Sequence, residues 1–295
     1  MTSNRKRRCQ AILFKDGAWK AFLERGLKFD AVAGSSIGAL NGAFVCHGDW
    51  DSARDFWTEL TKTNVLRPDY SRLERLATAV LSDLGLLLLP LPSLGLLRVL
   101  KYSSSVVKFA SQHGTLGRIL KEGLVDLEKF KPLVKRYLDM DKVVNGPTSL
   151  YVAVSLSLGS ATLRERGHYL RLQDFSPDEA WKILAASMAV PFVFRSVPFQ
   201  GKRYLDGGMS RWLPMEPLWG RECSEVIAVS TKPKVRYVRK PGQDGNITII
   251  QPANSLGRFP VATFRFTEET VKYWMQLGYQ DASRVLDISS RKGVK

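Results

Sequence analysis

The sequence predicts an α/β protein: a three-layer α/β/α sandwich around a mostly parallel sheet. Three observations carry this. Short apolar runs alternate with stretches of helical spacing along most of the 295 residues, as strand-helix repeats require. The run 29–33 passes through Gly34-Ser35-Ser36-Ile37-Gly38 straight into helical spacing, which is a strand, a tight turn and a helix. A second strand, through Lys202-Arg203-Tyr204-Leu205, ends at Asp206-Gly207-Gly208, where two residues without side chains let another backbone come close.

In chain order, residues 9–14 read as the first strand and 18–25 as a helix that stops at Gly26, a residue suited to the left-handed position after a helix end. The strand 29–33 and the helix 39–47, ended by Gly48, follow. Asp49 or Asp51 then caps a helix through Leu60 with Trp50, Phe56 and Trp57 on its apolar side. Residues 67–142 read as helix and loop and hold the leucine-rich stretch 84–97. Strand character returns at 151–156 and 168–172. Ser176-Pro177-Asp178-Glu179 is a capping box with proline at the first helical position, opening a helix over 177–188. A strand ends at Asp206, another spans 226–230, and 267–286 is a long amphipathic helix with Val271, Trp274, Leu277 and Val285 on one stripe. No linker or internal repeat divides the chain, so one domain over 1–295 is expected.

Composition excludes several classes. The chain is 44% hydrophobic and 10% aromatic, which rules out a disordered or collagen-like protein. Its net charge of +16 is concentrated in three short segments: Arg5 to Arg8, then Lys232, Lys234, Arg236, Arg239 and Lys240, and finally Arg291, Lys292 and Lys295. A basic loop and basic tails on a nearly neutral body argue against a basic groove built into the fold; anionic lipid surfaces and nucleic acid both stay open as partners, though no recognised nucleic-acid motif is present. Three scattered cysteines suggest neither a disulfide framework nor a metal site, and a reducing cytoplasm is the expected compartment. The apolar run after Arg8 is too short for a signal peptide, and 84–97 is too short to cross a bilayer, so any membrane contact is expected to be peripheral.

Gly34-x-Ser36-x-Gly38 has the form of a nucleophile elbow, with Ser36 at a helix start and the Ile37 N–H free for an oxyanion. A serine nucleophile ordinarily uses histidine as base, yet only His47, His113 and His168 exist, and none follows residue 168. His47 sits at the far end of the helix that Ser36 begins. A carboxylate must then act directly, and Asp206 at its strand end is the candidate, against the plain alternative of an Asp-Gly turn.

The segments 18–43, with G-x-S-x-G, and 185–217, with D-G-G, resemble the patatin-like phospholipases, and the likeness extends weakly to 278–282. The resemblance implies a patatin-like fold and a Ser-Asp dyad of Ser36 and Asp206, supported by Gly34, Gly38, Gly207 and Gly208. It implies ester hydrolysis of phospholipids or related acylglycerols without a metal or other cofactor. It also makes 60–145 a variable helical insertion or cap, which could cover the acyl cleft or dip into a bilayer. One feature departs from the family: its glycine-rich oxyanion loop between the first strand and helix is missing or shortened, leaving Gly17 beside Ile37 as donors. The alternative expectation is accordingly a weakened or inactive relative that binds lipid or a protein partner.

Overall fold

The computed structural model describes residues 7–12, 16–63, 127–157, 166–191, 193–219, 223–237, 245–254 and 267–292. The leucine-rich stretch 84–97, His113 and nearly all of the 60–145 segment before Leu127 lie outside them, as do 13–15, where the shortened loop falls.

Eight strands form one sheet among these residues: β1 (Arg7–Ile12), β2 (Ala31–Ser35), β3 (Ser149–Leu156), β4 (Gly167–Arg171), β5 (Val197–Phe199), β6 (Lys202–Asp206), β7 (Cys223–Val229) and β8 (Asn246–Ile250). The helices are α1 (Asp16–Glu24), α2 (Ile37–His47), α3 (Trp50–Lys62), α4 (Lys131–Tyr137), α5 (Met140–Asn145), α6 (Pro177–Met188), α7 (Glu216–Trp219) and α8 (Glu268–Lys292). Strands β3, β2, β1, β7 and β8 are mutually parallel neighbours, whereas β4 and β6 pair antiparallel with β3, and β5 pairs antiparallel with β6. The sheet is thus mixed, and the mostly parallel sheet expected from the sequence describes only its centre. Strand β8 went unpredicted, because Asn246-Ile-Thr-Ile-Ile250 sits among turn residues without a helix to set it off.

Alternate residues along the strands face two cores, as the period of two demands. Val32, Leu150, Val152, Val154, Ile227 and Val229 join a large core with Phe22, Phe44, Phe56 and Trp181 from α1, α2, α3 and α6. On the other face Ala31, Ala33 and Ala228 are small, and Met215 and Leu218 pack against them. Small strand residues let this second cover come close while contributing little apolar volume.

Two features differ from expectation. Arg7 and Arg8 are strand residues of β1, paired with β7, so only part of the first basic segment is a tail. Cys9 and Cys223 form a disulfide between β1 and β7, although 214 positions separate them in the chain. Both are buried, and a bridge between these two strands was not expected from the number and scatter of the cysteines. The count carried no information about which strands would be neighbours. No described helix is long and apolar enough to cross a membrane.

Candidate active site

Register along β3 brings the two motifs together. Strand β2 pairs with β3 only as far as Ser35 opposite Ala153, and β4 occupies the other edge of β3 through Ser155. The edge beyond Ala153 is therefore open to β6, whose last residue, Asp206, lies opposite Val154. Asp206 begins where Ser36 turns away.

The turn at Ser36 is strained. Its φ of 57° and ψ of −132° are rare for a residue with a side chain, and such positions cost on the order of 1–3 kcal/mol. Ser36 holds the N-cap position of α2, where a serine normally caps the helix with its own oxygen. Here it makes no such cap. Its hydroxyl is turned to the carboxylate and donates to Asp206 Oδ2 at 2.6 Å. Gly34 permits this packing, since a Cβ there would lie 2.3 Å from the Gly38 carbonyl oxygen.

Asp206 is 5% exposed, and its second oxygen, Oδ1, accepts the Gly208 N–H at 2.6 Å. Burial raises its pKa from 3.8 to about 6, opposed by the hydrogen bonds from Ser36 and Gly208. A carboxylate of that basicity is a better proton acceptor near neutral pH than an ordinary aspartate. Gly207 has to lack a side chain, because a Cβ would sit 2.0 Å from the Ala153 carbonyl oxygen.

Ile37 opens α2, and the N–H groups of a first helical turn have no acceptor within their own helix. They face the positive end of the helix dipole toward Ser36. Gly17 lies inside α1 rather than in a loop, and it has a packing reason the sequence did not disclose: a Cβ there would meet the Met275 carbonyl oxygen of α8 at 1.7 Å. Neither described histidine joins the pair. His47 ends α2, about 16 Å along the helix from Ser36 at 1.5 Å per residue. His168 is on β4, at the opposite edge of β3 from Asp206. Among the described residues no cluster of three His, Cys, Asp or Glu could hold a metal ion.

Two contacts escaped the sequence reading. Ser187 near the end of α6 accepts the Ser36 N–H at 2.9 Å, and the Ala189 carbonyl accepts the Asp206 N–H at 3.0 Å. A lone serine within the buried, otherwise apolar stretch 183–188 at the end of α6 was the one available signal.

An α/β fold with a serine on a strained strand-to-helix turn and a buried aspartate at hydrogen-bond distance is a hydrolase-like arrangement. The sequence profile of the patatin-like phospholipases matches residues 13–219, and the chain belongs to that family, a family of lipid hydrolases. No curated protein matches. Among solved structures, that of VipD from Legionella pneumophila is similar over 96% of this chain and 67% of its own, at 13% identity and a TM-score of 0.40.

Proposed function

We propose that this protein is a serine lipid acyl hydrolase that cleaves ester bonds of phospholipids or related acylglycerols through Ser36 and Asp206. The observation that carries the reading is the 2.6 Å hydrogen bond from the Ser36 hydroxyl to a buried carboxylate whose pKa is raised to about 6.

In this mechanism Ser36 Oγ attacks the ester carbonyl carbon while Asp206 Oδ2 takes the hydroxyl proton. Negative charge collects on the carbonyl oxygen, and the Ile37 N–H, with the Gly17 N–H as second donor, stabilises it. Collapse expels the alcohol, which leaves with the proton from Asp206. Asp206 then deprotonates a water that attacks the acyl-enzyme, and the fatty acid departs as Ser36 regains its proton. No step requires a cofactor.

Residues 1–295 act as one domain in this reading, a three-layer sandwich with 60–145 as its helical cap. The cations Lys232, Lys234 and Arg236 are all exposed while Pro233 and Val235 between them are half-buried, and Met209 beside the D-G-G turn is 46% exposed. Charge and position support peripheral contact with an anionic membrane.

A second reading, a weakened relative that binds lipid or a protein partner, is favoured by the position of Gly17 within α1 in place of a glycine-rich loop. A fluorogenic ester assay with fluorophosphonate labelling separates the two. Labelling of wild type that disappears in Ser36→Ala, with hydrolysis lost in both Ser36→Ala and Asp206→Asn, is expected. An unlabelled, inactive wild type selects the second reading, and activity surviving in Ser36→Ala removes the dyad.

A further inference from the structure

We infer that Ser187 is a positioning residue for the nucleophile and that the end of α6 is the common strut for both members of the dyad. This rests on the Ser36–Asp206 reading above.

Ser36 and Asp206 are 170 residues apart, and β2, which leads into Ser36, does not pair with β6, which ends at Asp206. Something must hold their spacing to the few tenths of an ångström that proton transfer needs. The strained turn adds a second demand. With Ser36 out of β2 and not yet within α2, its N–H has no place in the sheet ladder, and a buried N–H without an acceptor is costly.

Ser187 meets both demands with one hydroxyl. It is fully buried; its oxygen accepts the Ser36 N–H at 2.9 Å, and its proton goes to the Ala153 carbonyl at 2.7 Å. Only a group that accepts and donates at once fits between those two backbone atoms. Ala153 is the last residue of β3 opposite β2, and its carbonyl also lies against Gly207. Two residues after Ser187, the Ala189 carbonyl accepts the Asp206 N–H at 3.0 Å. The last turn of α6 thus fixes the nucleophile through a side chain and the base through its backbone, both referred to the same point on β3.

The position is asymmetric. Truncating Ser187 frees the Ser36 backbone without touching Asp206, the Ser36 hydroxyl or any group in reach of substrate. The loss should appear in the chemical step rather than in binding, since displacements of about 1 Å can cost on the order of 100-fold in rate.

The test compares wild type, Ser187→Ala and Ser187→Thr. Three measurements are made on each: kcat and KM on a fluorogenic ester, the thermal midpoint, and hydrogen exchange of the Ser36 amide. Expected in Ser187→Ala are a kcat at least tenfold lower with KM within about twofold, and faster exchange at Ser36 while the rest of the sheet stays protected. Ser187→Thr, which keeps the hydroxyl, should restore part of the rate. An unchanged kcat in folded Ser187→Ala overturns the inference, as does a loss explained wholly by a smaller folded fraction. If wild type neither hydrolyses ester nor takes the label, the dyad reading fails by itself. Exchange at Ser36 then still decides whether Ser187 holds that turn: protection that is identical in wild type and Ser187→Ala refutes it.

Discussion

At the scale of single residues, the burial of Asp206 costs stability, and the proposed dyad would draw its reactivity from the same burial. Its pKa of about 6 in the fold lies above its ordinary 3.8, so between those values the unfolded chain gives up its proton first. The fold therefore loses stability as pH rises from about 4 to 6, and the deficit, roughly 1–3 kcal/mol, stays constant above that. Asp206→Asn removes the ionisation. It should be inactive yet more stable than wild type at pH 8, with the gain shrinking below pH 6 and vanishing near pH 4, as denaturant melts across that range would show. In the wild type, kcat/KM should fall on the acid side with an apparent pKa near 6, because the base has to be ionised to accept the serine proton. A flat profile down to pH 4 would contradict that role for Asp206.

At the scale of elements, two helices carry burdens visible in their ends. Helix α6 begins with a complete capping box, in which the Ser176 side chain accepts the Glu179 N–H and the Glu179 side chain accepts the Ser176 N–H. It ends at the contacts to the Ser36 and Asp206 N–H groups. Ser176→Ala should lower stability by about 1 kcal/mol, while the folded fraction keeps its kcat, since the cap lies at the far end of the helix. Helices α1 and α8 touch backbone to backbone at Gly17, with the Tyr279 hydroxyl donating to Glu24 and Arg25 paired to Asp287 along the same seam. A methyl group at Gly17 has nowhere to go: Gly17→Ala should cost about 1–3 kcal/mol by prising α1 from α8, measurable as a lower thermal midpoint.

For the whole molecule, the exposed positive charge and the disulfide each lead to a test. The three exposed cations from Lys232 to Arg236 should each contribute about 1 kcal/mol at an anionic surface. Reversing all three to glutamate should abolish co-sedimentation with phosphatidylserine-containing vesicles but leave hydrolysis of a soluble ester unchanged. Binding that ignores both lipid charge and salt would remove the electrostatic account. Closing a loop of 214 residues, the Cys9–Cys223 bond should stabilise the fold by about 2–4 kcal/mol, seen as a drop in thermal midpoint on adding reductant. Alkylation of protein taken directly from cells, with and without reductant, reports which compartment it occupies.

The sequence determined what depends on neighbours in the chain. The helix over Pro177–Met188, its capping box and the strand ending at Asp206 were legible to the residue, because propensity and capping act over a few positions. The glycine-serine turn and the D-G-G turn were legible for the same reason, and the shortage of histidines left Asp206 as the base to consider. Tertiary structure decided the rest. The antiparallel edge of the sheet, the pairing of Cys9 with Cys223, the packing need at Gly17 and the reach of Ser187 to Ser36 all depend on which distant segments become neighbours. Residues 170 apart carry no local trace of each other. It is the point at which β2 leaves β3, and β6 takes its place, that sets a serine 2.6 Å from a buried carboxylate.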